Sequence, residues 1–143
     1  MACRVKVRLK VGGRVFEGAA ILNSGFETDS PDIAIPVHVA RELGLWPPTT
    51  RTLAALETGG GDVLLPYYES CATLELVLPD REPKAVRVNV IVDPHIDEIA
   101  ISDYVASELG VMLIDFNKGL WRLADDPPET VKALGVSRSA PMC

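Results

Sequence analysis

The chain contains no run of consecutive basic residues, no CxxC pair and no apolar stretch near the roughly 18 residues that span a bilayer. The first absence, together with a formal net charge of -6, argues against nucleic acid as a partner. The second leaves three cysteines, Cys3, Cys71 and Cys143, widely spaced and odd in number. Neither a zinc site nor a disulfide framework is expected of them, and small buried or terminal thiols in a reducing cytoplasm are. The third absence, with an N-terminal MACRVKVRLKVGG that alternates charge and apolarity, points away from a membrane partner and from a secretory signal. Histidine is scarce as well. His38 and His95 lack the Cys or acidic spacing typical of metal ligands, so both are expected to be structural or exposed, with no metal or other cofactor.

What remains suits one folded domain. A chain of 143 residues that is 48% hydrophobic can bury its own core and is too apolar for disorder. Val5, Val7, Leu9 and Val11 alternate with Arg4, Lys6, Arg8 and Lys10, the period of a strand with one wet face. Gly12-Gly13 then predicts a hairpin turn into a second, antiparallel strand over Arg14 to Leu22. Asn23 to Pro31 is rich in turn formers, Ile33 to Ile35 is a short strand, and PVHVARELGL is a short helix stopped by Gly44.

Further strands are expected over Arg51 to Glu57, Val63 to Ser70, Cys71 to Leu78 and Ala85 to Val92. The first two flank Thr58-Gly59-Gly60-Gly61-Asp62 as a hairpin. DEIAISDYVASELGV reads as a buried strand running into a second short helix, and Val111 to Phe116 with Leu120 to Leu123 closes the domain as a hairpin. HVARELGLWP and YVASELGVML echo one another, each after a short apolar strand, which points to a lobe with internal pseudo-two-fold symmetry. The domain is expected over residues 1–124. Residues 125–143 read as a tail: an Asp-Asp-Pro-Pro linker, a helical turn over Glu129 to Leu134 and a loose end.

ILNSGF at a strand end, then IAIP and ARELGLWP, resembles the active-site segment of retroviral-type, single-lobe aspartic proteases. In that pattern Ile21-Leu22 is the apolar pair and Asn23-Ser24-Gly25 the triplet. The likeness in element order runs over roughly residues 4 to 123 and ends in IAISDYVASELGVMLIDFNKGLWRL, similar to the family's closing block. It implies an all-β fold with two short helices, an acid-protease-like closed β-barrel lobe with a flap hairpin. It also implies a C2 homodimer that hydrolyses peptide bonds of a peptide or unfolded protein. Thr58, Gly59, Gly60, Gly61 and Asp62 would be the substrate-covering flap, Ser24 a brace across the dimer axis, and Gly25 a point of close backbone approach.

Two positions depart from the family. Ile101 stands where the closing block has glycine, and Asn23 stands where the catalytic aspartate belongs. Metal-free peptide hydrolysis needs two facing carboxylates that share one proton, one acting as base while the other polarises the carbonyl. An amide keeps the shape and loses the base, so little or no turnover is expected of the sequence as written. Three readings of Asn23 stay open: a replaced aspartate in a disabled endopeptidase, a native residue in a peptide-binding pseudo-protease, or an ordinary turn residue. Asp29 and Asp32 read as solvated loop charges or a cap, Asp103 as a helix cap, and Trp46 and Trp121 as core or dimer-surface aromatics.

Overall fold

The computed structural model describes residues 3–22, 25–58, 60–115, 117–133 and 136–138. In chain order its elements are β1 (Cys3–Val11), β2 (Arg14–Leu22), β3 (Asp32–Ile35), α1 (Val37–Glu42), β4 (Leu53–Thr58), β5 (Gly61–Leu76), β6 (Lys84–Val92), β7 (Ile99–Ile101), α2 (Asp103–Leu109), β8 (Val111–Asp115), β9 (Leu120–Leu123), β10 (Val131–Ala133) and β11 (Val136–Arg138). The protein is mostly β with two short helices, as its periodicities predict. No helix among the described residues is long and apolar enough to cross a membrane.

Six strands close a barrel in the order β1-β2-β7-β3-β6-β5, because β1 pairs with β5 as well as with β2. Closure removes the open edges that a flat sheet would expose. The alternation in β1 sets which face is inside: Cys3, Val5, Val7 and Leu9 are fully buried in the core. The outward basic residues meet acids on the neighbouring strands, Arg8 lying opposite both Glu17 and Glu75. Burial raises the thiols of Cys3 and Cys71 to about 11, so both stay protonated at neutral pH.

The strand order departs from sequence order around β7 and β3, and that exchange shapes the molecule. β7 lies between β2 and β3, parallel to the first and antiparallel to the second. Likewise β3 lies between β6 and β7, parallel to β6. The echo in the sequence is therefore a two-fold relation in space: β3–α1 matches β7–α2, with Ala34 facing Ala100 at the centre. The registers agree, Ile33 opposite Val90 and Ile35 opposite Val92 in one half, Ile99 opposite Ala20 and Ile101 opposite Leu22 in the other. Each helix stops at a left-handed glycine, Gly44 and Gly110, a backbone conformation that a side chain would strain.

Two expectations need correction. Val63 to Ser70 and Cys71 to Leu78 are not separate strands, since β5 runs unbroken through Gly61–Leu76. A bulge between Tyr68 and Ala72, with Ser70 at φ 49°, absorbs the turn-like residues there. Glu129 to Leu134 holds no helical turn among its described residues: Val131–Ala133 is a strand whose Lys132 pairs with Trp121 of β9. Lys132 is buried, and its ammonium bonds Asp80 and Asp126 at 3.2 Å each and lies 5.7 Å from the Trp121 ring centroid. Ion pairing satisfies that buried charge, which a helical turn facing solvent would not require. Leu134 and Cys143 lie outside the described residues.

Arg81 makes a two-pronged contact with Asp125, at 2.9 Å on each oxygen, and holds that carboxyl down at about 2. Glu98, bonded to Arg4, is also shifted down. Groups lowered on folding contribute their stability fully above the unfolded carboxylate range and lose it as pH falls through the folded value. Tm is therefore expected to hold between pH 6 and 5 and to drop below about pH 4. Calorimetry across that range checks this, with the drop shrinking for Arg81→Met.

Candidate functional site

A second apolar cluster lies outside the barrel, on the outer face of β3, β6 and β7. Ala34, Leu65 and Ile91 are its buried centre, with Phe26, Leu56, Val63, Ile96 and Ala100 packed around them. β3 is buried at all four residues because Ile33 and Ile35 point into the barrel while Ala34 faces this second layer. Two alanines face each other at the centre, and their small size leaves space above them.

That space is a cleft. One hollow of about 230 Å³ runs over Ala34 and Ala100, bounded by Gly25 and Phe26 at one end and by Asp93 and Ile96 at the other. Leu56 and Glu57 of the β4–β5 hairpin form its remaining wall. A neighbouring hollow of about 490 Å³ extends past Gly25, Phe26 and Glu27, and another of about 340 Å³ past Leu56, Val63, Leu65, Asp93 and His95. The cleft thus lies among the hairpin and the two loops that the strand crossings generate, residues 25–31 and 93–98.

The hairpin pairs Thr58 with Gly61 and Glu57 with Asp62. Gly61 has φ 112°, which makes glycine the natural residue there. Gly60 lies in the turn, and Gly25 is exposed and lines the cleft. Asn23, Ser24 and Gly59 lie outside the described residues.

Asp32 corrects the expectation of a solvated charge. It is 7% exposed and accepts hydrogen bonds from Asn89 Nδ2 at 2.8 Å, Ser30 Oγ at 2.9 Å and Tyr67 OH at 3.4 Å. Asn89 in turn accepts from the Ser70 amide at 2.7 Å. One carboxylate therefore ties the 25–31 loop to β6 and to the bulge from which the hairpin rises. Asp29, by contrast, is exposed.

Asp103 is likewise not the helix cap. Ser102 Oγ caps α2 by accepting from the Val105 amide, while Asp103 Oδ1 accepts from the Thr28 amide at 3.0 Å. The Asp103 amide donates to Phe26 O at 3.0 Å, so α2 begins by holding the loop that ends the cleft.

Trp121 is core, 3% exposed, and Trp46 packs partly against the core. His38 is exposed against the edge of Phe16. His95 is exposed but not idle, its Nδ1 lying 3.1 Å from Asp93 Oδ1 at the cleft mouth. Asp93 follows β6 as residue 23 follows β2, and its amide closes the crossing by donating to Ile35 O at 2.9 Å. Asp93, Phe26, Leu56 and Ile96 are cleft residues that the sequence pattern did not single out. A signal for Asp93 existed: VIVD repeats AILN if the internal echo is extended upstream.

No protein-family model matches the chain, and no curated protein matches it. Asp32→Ala leaves the buried Asn89 amide without its acceptor, which costs about 1–3 kcal/mol. Urea unfolding at neutral pH should show that loss, whereas Asp29→Ala at an exposed site should leave the midpoint in place.

Proposed function

We propose that the chain is one half of a two-fold symmetric aspartic-protease-type lobe that binds an extended peptide in the cleft over Ala34 and Ala100. The observation that carries this reading is the cleft's construction: a β-hairpin over an apolar floor, with the loop that follows residue 23 entering at one end. In this reading the β4–β5 hairpin is the flap. It supplies backbone hydrogen bonds to an extended chain and shields the site from water. Apolar side chains on both walls then receive alternate side chains of the peptide.

Residue 23 follows Leu22, whose strand is held in register against Ile101. Two copies related by a two-fold axis would bring two such residues together. With aspartate there, the pair would share a proton and activate water; with asparagine the site keeps its shape and lacks the base. Support for a dimer comes from β8, the end strand of its sheet. Met112, Leu113 and Ile114 are 43%, 42% and 45% exposed, three consecutive apolar residues on an edge that no other described strand pairs. Beside them a hollow of about 260 Å³ is lined by Leu22, Ile101, Ala106 and Leu113. Such an edge favours pairing with a copy of itself, and an isologous contact closes at two chains.

A second reading keeps the scaffold and the peptide but not the chemistry: a binding module with native asparagine, favoured by Asn23 itself. Asn23→Asp separates the two. A disabled endopeptidase gains cleavage of unfolded protein, by at least about 10²- to 10⁴-fold over the parent, whereas a binding module stays inert. Leu113→Asp places a charge on the proposed dimer edge, and analytical ultracentrifugation should then find monomers where the parent sediments as a dimer. A parent that sediments as a monomer at all concentrations contradicts the two-fold reading.

A further inference from the structure

The charged residues lining the cleft are all of one sign. Glu27, Glu57 and Asp93 contribute to its three hollows, and among the described residues no lysine or arginine does. Asp93 is the least exposed of the three, its side chain 16% exposed where Glu27 and Glu57 are open to solvent. One of its oxygens, Oδ1, is occupied by the His95 amide at 2.9 Å and by the His95 ring at 3.1 Å. The other, Oδ2, has no hydrogen bond among the described residues. Beside Asp93 and His95, Leu56, Val63 and Leu65 make apolar walls for a hollow of about 340 Å³.

We propose that this cleft selects peptides bearing a lysine or arginine side chain, whose cationic end is received by Asp93. The inference rests on the peptide-binding reading above and names its substrate class. Apolar walls leading to one carboxylate match an aliphatic stem that ends in a charge. A neutral apolar side chain fills the walls equally well but leaves the Asp93 carboxylate partly desolvated without a counter-charge. An acidic side chain meets the like charge of Asp93. Discrimination therefore comes as much from rejection as from attraction.

The test is fluorescence anisotropy with labelled, extended nonapeptides. They are alanine-based and carry Lys, Arg, norleucine or Glu at the central position. Lysine and arginine peptides are expected to bind about tenfold more tightly than norleucine, the worth of one charge-assisted hydrogen bond. The glutamate peptide should bind most weakly, and raising salt from 50 to about 300 mM should narrow the gap. Asp93→Asn should close most of the difference between lysine and norleucine, with circular dichroism confirming the fold.

Norleucine binding as tightly as lysine overturns this proposal and leaves the peptide-binding reading standing. A lysine preference that survives in folded Asp93→Asn overturns the role of Asp93. Should the variant fail to fold, the parent's peptide series and its salt dependence still decide the preference. Absence of binding by every peptide overturns the underlying reading and this inference with it.

Discussion

Two strands, each inserted into the gap that the other's crossing leaves, constrain the rest of this molecule. β7 separates β2 from β3, and β3 separates β6 from β7. Each inserted strand holds its neighbours two sheet spacings apart, about 10 Å, so the connecting segments, described over 25–31 and 93–98, arch over strand ends. Neither can retract without unpairing the strand beneath it. The antiparallel pairing of Ala34 with Ala100 puts the arches at opposite ends of one short ladder. A cleft bounded by both follows from the topology, and its depth follows from the alanines.

The arches need fixing as well as placing, and polar groups do this where apolar contacts are few. Asp32 gathers donors from Asn89, Ser30 and Tyr67, and Asp103 takes the Thr28 amide. A buried carboxylate is costly unless its lone pairs are satisfied, and here the satisfying groups come from three different segments. Such a cluster forms only when those segments are in register. That favours one arrangement of loop, β6 and hairpin over shifted alternatives. Lys132 does the same at the far side, where its buried ammonium, paired with Asp80 and Asp126, draws β10 onto the lobe.

Local patterns in the sequence reached the elements but not their partners. The alternation of β1, the glycine turns and both short helices were legible because each depends on residues close in sequence. The repeated helix motif foretold the two-fold relation of β3–α1 and β7–α2. β5 was misread because Glu69 and Ser70 look like a strand end, while the bulge that keeps the strand going is set by Asn89 on a neighbouring strand. Asp32 was misread for a similar reason: its neighbours Ser30 and Pro31 are turn formers, and its chief donor is 57 residues away. The cleft walls come from Phe26, Leu56 and Ile96, three residues with no shared period, so only the folded chain brings them together.

Function, on this account, resides in the space over the alanine pair, and chemistry at residue 23 is a separate matter of one side chain. The most direct measurement is an NMR titration of the isotope-labelled protein with an extended, lysine-bearing peptide. The account predicts that amide signals of Gly25–Glu27, Leu56–Glu57 and Asp93–Ile96 move together and saturate at one peptide per cleft. Shifts confined to the opposite side of the barrel, or none at saturating peptide, would contradict it.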